Sequence, residues 1–239
     1  MVMKIQGAII AAGRGERLRS ASIIPKPLVE LGGETMLARQ ARALTAAGAE
    51  SVVAIINSET ARIAEQMKIA TPPGLKIVVR DTSSSMETML ALGEFIEPGW
   101  FVAATVDAIV APAELARFVA EARQMIDGRE QTEIAGVLAV TRWRGDKKPL
   151  FAELSDDAMI TRLGGAETSM VTAGIYFLHT AMFELAESAR SLKLDALRRL
   201  LALMIERGMK LGGVEIEGAI DVDEACDLEA ARSAIRSYQ

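Results

Sequence analysis

The segment Gly7–Leu18, with the sequence GAIIAAGRGERL, predicts a strand followed by a glycine-containing loop, and the fold class follows from it. Its first half is apolar with little alternation, which is typical of a strand buried on both faces of a parallel sheet. The two glycines of Gly13-Arg14-Gly15 permit a left-handed backbone and let amide N–H groups point at an anion. Arg14, Arg17 and Lys26 add positive charge, so the loop suits a triphosphate.

Two common phosphate-binding motifs do not match this loop. The P-loop has four residues between its glycines and then Gly-Lys-Ser/Thr, and the dinucleotide fingerprint has a third glycine and an immediate helix. Here Leu18 and an irregular run follow, and no helix is expected before Thr35. The alternative is a glycine-rich turn that binds nothing, but the three cations and the Pro-Lys-Pro segment at 25–27 argue against it.

Strand and helix patterns alternate along the chain, which is typical of an α/β protein with a parallel sheet. Strands are predicted at 51–56, 75–79, 100–106, 134–141, 151–154, 159–163, 170–178 and 211–216. Helices are predicted at 36–47, 58–67, 85–92, 113–126, 192–207 and 224–236, with Thr35, Ser58 and Ser84 as N-caps. The right-handed crossover rule places helices on both faces of the sheet. We therefore expect a Rossmann-like, mixed but mostly parallel sheet.

Composition limits the classes of function. The chain has 239 residues, of which 50% are hydrophobic, which is enough apolar material for a full core. Its net charge is −5, so a broad nucleic-acid surface is not expected. The single cysteine, Cys226, excludes an internal disulfide, fits a reducing compartment and is expected to be a small buried group. No apolar run reaches membrane-spanning length and the first residues are not typical of a signal peptide. We expect a cytoplasmic protein without a membrane partner.

Several segments together resemble a known family, the nucleotidyltransferases that make nucleotide sugars and related nucleotide-activated phosphates. These segments are AAGRGERL at 11–18, PKPL at 25–28, Asp107, AGIY at 173–176 and 221–228. The resemblance implies the nucleotide-diphospho-sugar transferase fold in one domain over 1–239. It implies a nucleotide-binding half at about 1–130 and an acceptor-binding half at about 131–239. Sugar-specific members usually carry Pro and Thr where this chain has 20–24, which leaves the acceptor open.

Carboxylates at two places are candidates for a metal site. Asp107 directly follows a buried strand, and ligands of open α/β sheets bind outside the carboxyl ends of the strands. A carboxylate there can meet phosphates through Mg²⁺, although a helix cap is the alternative. Asp221 and Asp223 share one face of an extended chain. The resemblance favours Asp221 as the metal ligand and leaves Asp223 as a helper or cap; Asp227 is expected to cap the closing helix.

Nucleotide contacts are expected from two segments. The loop residues expected to bind the triphosphate are Ala11, Ala12, Gly13, Arg14 and Gly15, and Arg14, Arg17, Lys26 and Asp107 are the candidate catalytic residues. The resemblance places 81–85 against the base and ribose, with Ser84 and Ser85 as candidates. An ordinary serine N-cap at the start of the helix is the alternative reading of these two side chains.

An acceptor phosphate needs a cation beside it, because two anions must approach each other. Lys147, Lys148 and Arg162 are candidates, although a solvated charge run is the alternative for Lys147. The resemblance matches Glu153 and Thr172 to the family's acceptor-contacting Glu and Asn.

The resemblance implies a Mg²⁺-dependent nucleotidyltransferase that joins a nucleoside triphosphate, with CTP or UTP favoured, to a small phosphate monoester and releases pyrophosphate. The acceptor is either a sugar phosphate or a phosphorylated alcohol. Three alternatives stay open: a guanylyltransferase of molybdenum-cofactor synthesis, a metal-dependent glycosyltransferase and a non-enzymatic nucleotide sensor. The first usually opens with Ala-Gly-Gly rather than Ala11-Ala12-Gly13, and the second needs Asp-x-Asp where 105–107 reads Thr-Val-Asp. The sequence does not predict the oligomeric state.

Overall fold

The computed structural model describes residues 3–15, 18, 24–127, 134–142 and 149–237. The strands of its main sheet are β1 Gln6–Ala11, β4 Ser51–Ile56, β5 Leu75–Val79, β6 Trp100–Thr105, β8 Gly136–Arg142, β11 Met170–His179 and β12 Leu211–Glu215. Three short antiparallel pairs accompany it: β2 Glu30–Leu31 with β3 Glu34–Thr35, β7 Ala108–Ile109 with β13 Ile220–Asp221, and β9 Ala152–Leu154 with β10 Ile160–Leu163. The helices are α1 Met36–Ala46, α2 Ser58–Gln66, α3 Ser85–Leu92, α4 Pro112–Asp127, α5 Ala186–Ser191, α6 Leu197–Glu206 and α7 Ala225–Ser237.

The central sheet has seven strands in the order β12-β8-β11-β6-β1-β4-β5. β1 pairs in parallel with β4 on one side and with β6 on the other, so the loop after β1 and the residues after β6 leave the same edge. β11 runs antiparallel between β6 and β8 and joins the first half of the chain to the second. The expected α/β fold with a mixed, mostly parallel sheet is confirmed.

Buried side chains form two clusters, one on each face of the sheet. Along β1, Ile9 and Ala11 belong to the cluster that packs against α1, α4 and α7, whereas Ala8 and Ile10 belong to the one that packs against α3, α5 and α6. This alternation follows from the two-residue period of a strand, and both sets are apolar because both faces are covered. The expectation of helices on both faces is confirmed.

Three local expectations were wrong. Asn57, not Ser58, caps α2, since its Oδ1 accepts the Thr60 N–H at 2.8 Å. The helix expected to begin at Leu192 begins only at Leu197, because Lys193 takes a φ of +53° in the segment between α5 and α6. Cys226 is exposed on the first turn of α7 rather than buried. No helix within the described ranges is both long and apolar enough to cross a membrane.

Candidate active site

The loop after β1 closes onto Lys26. Gly15 has a φ of +61°, and a Cβ on it would lie 3.2 Å from the Lys26 Cβ, so glycine serves both the backbone angle and the close approach. Gly13 does not adopt a positive φ, so only Gly15 uses the left-handed conformation that both glycines permit. Arg14 lies exposed on this loop and lines the adjoining cavity. The loop therefore presents a cation at the carboxyl end of the central strand.

Asn57 holds this loop in place, a role that the sequence analysis missed. Its Nδ2 donates to the carbonyls of Ala12 at 3.1 Å and Gly13 at 3.3 Å, while its Oδ1 caps α2. The side chain is buried, so these bonds are shielded from water. The sequence signal for this role was a polar residue directly after the apolar β4, because the residues that form ligand sites in parallel sheets follow the carboxyl ends of the strands.

Lys26 is a buried cation between two carboxylates. Its Nζ donates to Asp107 Oδ2 at 2.9 Å and to Asp223 Oδ1 at 2.8 Å, and only 8% of its side chain is exposed. Burial by itself lowers the pKa of Lys26, but the charges and hydrogen bonds of both aspartates outweigh it and raise the pKa above its ordinary 10.5. Lys26 is therefore a permanent cation at neutral pH.

Asp107 lies just beyond β6, on a turn that two other segments fix. Gln40 on α1 is buried and donates to the carbonyls of Thr105 at 2.9 Å and Ala108 at 2.8 Å, on either side of the aspartate. The Val222 N–H donates to the Asp107 carbonyl at 3.1 Å. These bonds hold the turn through its backbone, so the Asp107 carboxylate can accept the hydrogen bond from Lys26. Gln40 therefore positions the turn that carries Asp107. The one sequence signal for this role was a polar residue on an otherwise apolar face of α1.

Asp221 and Asp223 face Asp107 from the second half of the chain. One carboxylate oxygen of each of the three aspartates lies within 4.8 Å of the other two, which confirms that Asp221 and Asp223 share a face. The cap of α7 comes from Asp227, whose Oδ2 accepts the N–H groups of Asp223 at 3.0 Å and Glu224 at 2.7 Å. Three carboxylates against the one ammonium of Lys26 leave an excess of negative charge, and oxygen ligands in this number suit a hard divalent cation.

Two cavities meet at this cluster. The first has a volume of about 530 Å³ and is lined by the loop after β1, by Lys26 and by residues at the ends of β6 and α3. The second has a volume of about 360 Å³ and is bounded by residues of β11, the start of α6 and the β13 segment. The residues that line both are Ser85, Thr105, Asp107 and Asp223. A molecule in either cavity would therefore meet a molecule in the other beside Asp107 and Asp223.

The second cavity contains two polar side chains for which sequence reasoning gave no role. Tyr176 on β11 and Arg198 on the first turn of α6 both line it. Burial raises the pKa of the Tyr176 phenol, and the charges of Asp107 and Asp221 add to the rise, so its hydroxyl stays protonated. β11 reaches the cavity through a bulge at Gly174, where a Cβ would lie 2.8 Å from Thr105 Oγ1. The AGIY segment thus marks a place where only glycine fits.

The other residues predicted for the site do not all lie at the two cavities. Thr172 and Ser85 line a cavity, whereas the Ser84 hydroxyl accepts the Glu87 N–H and caps α3, as the alternative interpretation held. Glu153 and Arg162 form an ion pair with each other across β9 and β10, and neither lines either cavity. Among the residues expected to bind phosphates, Arg17, Lys147 and Lys148 lie outside the described residues.

Comparison with known proteins identifies the family. Residues 7–202 match the model of the MobA-like NTP transferase domain. A mannose-1-phosphate guanyltransferase of Kluyveromyces lactis is 38% identical over 65 residues, which are 27% of this chain and 18% of that protein. A bifunctional IPC transferase and DIPP synthase of Rubrobacter xylanophilus is 32% identical over 116 residues, 48% of this chain and 26% of that protein. The matches thus span about a quarter or less of these curated relatives.

Solved structures share the fold over nearly the whole chain. The inositol-1-phosphate CTP transferase from T. maritima superposes with a TM-score of 0.80 at 18% identity and covers 98% of this chain and 97% of that one. A UDP-glucose pyrophosphorylase complexed with UDP-glucose superposes with a TM-score of 0.79 at 14% identity, covering 99% and 100%. At such identities the likeness establishes the fold, and the expected nucleotide-diphospho-sugar transferase fold is confirmed.

Proposed function

The chain belongs to the MobA-like NTP transferase domain family, and we propose that it transfers a nucleotidyl group to a small phosphate monoester. The observation that carries this proposal is the position of Lys26, buried against Asp107 and Asp223 where two cavities meet. One cavity can take a nucleotide and the other an acceptor, with a cation and carboxylates between them. A nucleotide sensor has no use for a second cavity at this point.

The first cavity is the proposed nucleotide site. Its glycine loop, Arg14 and Lys26 offer bare amides and cations to a triphosphate, and Ala11 at the end of β1 adds a small apolar side chain to the wall. Ser85 at the start of α3 also lines it, in keeping with the expected contact to the base or ribose. Arg17, although outside the described residues, remains a proposed partner of the phosphates. We propose CTP or UTP as the donor, since solved neighbours include an inositol-1-phosphate CTP transferase and a UDP-glucose pyrophosphorylase.

The second cavity is the proposed acceptor site. Its volume of about 360 Å³ falls in the range of sites for small molecules, and its wall combines apolar side chains with the hydroxyls of Thr141, Thr172 and Tyr176. Such a wall suits a sugar phosphate or a phosphorylated alcohol of similar size. Lys148 remains a proposed acceptor contact outside the described residues, whereas the pairing of Glu153 with Arg162 outside the cavity makes these two weaker candidates.

In the proposed reaction, an oxygen of the acceptor phosphate forms a bond to the α-phosphorus as the bond from that phosphorus to the β-phosphate oxygen breaks. Pyrophosphate leaves with the electron pair of the broken bond. The acceptor oxygen is already anionic, so no protein nucleophile or base is needed. The chain contributes position, because it holds the two reactants in adjoining cavities, and charge, because Lys26 and Arg14 stabilise the negative charge on the leaving group.

We propose Mg²⁺ as the cofactor, held by Asp107, Asp221 and Asp223. Their oxygens lie close enough together to bind one ion, and carboxylates are the ligands this ion prefers. Mg²⁺ bound there would neutralise charge on the α-phosphate and draw the two reactants together. We also propose a cytoplasmic location, for which the single cysteine is the support.

A matrix of four nucleoside triphosphates against a panel of phosphate monoesters tests the function, with pyrophosphate release as the measurement. The panel includes hexose 1-phosphates, inositol phosphate and phosphocholine, and the Asp107→Ala variant is the control for contaminating activity. Release that needs both a triphosphate and one acceptor class is expected. Release with GTP alone and a molybdopterin acceptor would favour the molybdenum-cofactor alternative. A glycosyltransferase would use no triphosphate, and a sensor would release no pyrophosphate with any pair.

A further inference from the structure

The segment between β12 and β13 carries two of the proposed metal ligands to the site. β12 ends at Glu215 on one edge of the main sheet, whereas β13 pairs with β7, which directly follows Asp107. At the β13 end the segment is held by that pairing and by the Val222 N–H, which donates to the Asp107 carbonyl at 3.1 Å. Asp221 follows Glu217 after only a few residues, so the place where the segment leaves the sheet limits where its carboxylates can lie.

Two side chains of α4 hold the other end of this segment. The Glu217 N–H donates to Glu114 Oε2 at 2.8 Å, and Arg117 Nη2 donates to the Glu215 carbonyl at 2.9 Å. These partners lie 103 and 98 positions apart in the sequence. Arg117 also donates to both carboxylate oxygens of Glu114, at 3.0 and 2.8 Å. We call Glu114 and Arg117 the α4 clamp, because together they bind one N–H and one carbonyl of the segment.

The geometry makes the α4 clamp stronger than an ordinary surface ion pair. The Glu114 side chain is only 16% exposed, and Arg117 pairs with it through two parallel N–H donors. Glu121, on the next turn of the helix, accepts a further bond from Arg117 Nη1 at 2.7 Å. α4 begins at Pro112, shortly after Asp107. One helix therefore connects Asp107 to the segment that carries the other two aspartates.

We propose that Glu114 and Arg117 are positioning residues for Asp221 and Asp223, an inference that rests on the metal site of the proposed function. Neither residue of the clamp lines either cavity, so both act through the backbone of the segment rather than on a substrate. One oxygen of each aspartate lies within 4.8 Å of the others, and a shift of the segment would move those of Asp221 and Asp223 away from that of Asp107. Residues that orient metal ligands without touching the ion change the affinity for it.

Binding of Mn²⁺ to the protein without nucleotide tests the proposal, because Mn²⁺ takes the same oxygen ligands as Mg²⁺ and its free concentration is measured by electron paramagnetic resonance. Glu114→Ala removes both the bond to Glu217 and the pair with Arg117, so we expect the dissociation constant for Mn²⁺ to rise about 3- to 10-fold. Glu114→Gln keeps an oxygen that accepts the Glu217 N–H and should recover part of the affinity. Glu121→Ala is the matched control: it takes a carboxylate from Arg117 without removing the bonds to the segment, and it should leave the constant unchanged.

Amide hydrogen exchange separates a positioning role from a purely structural one. In Glu114→Ala we expect faster exchange within 215–223, with the exchange of β1 and β6 unchanged. Faster exchange there with an unchanged Mn²⁺ constant would overturn the proposal, because the clamp would then stabilise the fold alone. A wild type that binds no Mn²⁺, or an equal loss of affinity in Glu121→Ala, would overturn it as well.

Thermal melting shows whether each variant is folded. If Glu114→Ala does not fold, the comparison of Glu114→Gln with Glu121→Ala decides, and equal Mn²⁺ constants in these two variants would count against the proposal. Pyrophosphate release is a separate measurement. A wild type that binds Mn²⁺ but releases no pyrophosphate with any pair contradicts the proposed transferase function and leaves the positioning role in place.

Discussion

Lys26 and Asp223 lie 197 residues apart in the sequence, yet the Lys26 Nζ donates to Asp223 Oδ1 at 2.8 Å. The same ammonium donates to Asp107 at 2.9 Å, so one cation joins the loop after β1, the end of β6 and the segment before α7. This contact completes the cluster of Lys26, Asp107 and Asp223 where the two cavities meet. A nucleotide entering the first cavity would meet a charged centre that is already assembled.

The first prediction concerns Lys26→Ala. The loss of this cation should lower kcat/KM by two or more powers of ten, since removing one donor from a desolvated anionic site typically costs about 3 kcal/mol of transition-state stabilisation. Steady-state pyrophosphate release measures it, and Lys4→Ala, which removes an exposed lysine near Glu50, is the control. An effect smaller than about threefold would show that Lys26 has a structural role only.

The second prediction is that Asp107→Ala abolishes turnover while the fold survives. The carboxylate is 22% exposed at the end of a strand, and the turn is held through backbone carbonyls by Gln40 and Val222 rather than through this side chain. Activity and thermal melting of the variant are compared with those of Asp195→Ala, which changes an exposed aspartate outside the cavities. Full activity in a folded Asp107→Ala protein would contradict the assignment.

The third prediction separates Asp221 from Asp223. Asp221→Asn should raise the Mg²⁺ concentration needed for half-maximal activity with little change in thermal stability, because the residue is exposed. Asp223→Asn keeps an oxygen that accepts from Lys26, so it should shift the Mg²⁺ requirement less. Asp227→Ala is the control: it loses the cap of α7 and about 1 kcal/mol of stability without a change in the Mg²⁺ requirement. A larger shift for Asp223→Asn would make Asp223 the main ligand.

The fourth prediction concerns the bulge in β11. Gly174 has a φ of +73°, and an added Cβ would lie 2.8 Å from Thr105 Oγ1 and 2.9 Å from the Ala108 Cβ. Gly174→Ala should lower both stability and activity, since it strains the backbone and displaces the residues on either side of Asp107. Gly208→Ala has a similar φ of +80° in open space, so it should cost about 1–2 kcal/mol of stability and leave activity unchanged. Equal activity losses in the two variants would contradict this explanation.

The fifth prediction is a dependence of stability on pH. Hydrogen bonds from the backbone N–H and hydroxyl of Ser58 lower the pKa of Asp81 below its ordinary 3.8. A group whose pKa is lower in the folded state stabilises the fold above the unfolded pKa, and this contribution is lost as the pH falls through the folded pKa. Asp81→Ala should therefore melt at a lower temperature than the wild type at pH 7. The difference should shrink below about pH 4, and a constant difference down to pH 2 would exclude the linkage.

Sequence alone determined the order of elements and the class of fold. The apolar run of β1, the regular return of strands and helices, and the glycine next to Arg14 follow from local pattern. Most predicted elements formed close to their expected bounds, and the helix expected at 192–207 is the main exception. Asp107 was identifiable for the same reason, because it directly follows an apolar strand in a parallel sheet. These signals need only neighbouring residues, whose side-chain period and backbone preferences fix the local structure.

Tertiary structure alone decided which side chains share the site. The roles of Gln40 and Asn57 depend on carbonyls that other segments bring to them, and Arg198 lines the second cavity although no sequence pattern indicated it. Arg162 was expected beside the acceptor phosphate but pairs with Glu153 across β9 and β10. A charge in the sequence has no partner until the chain is packed, and its chemistry depends on the distance and burial that packing sets.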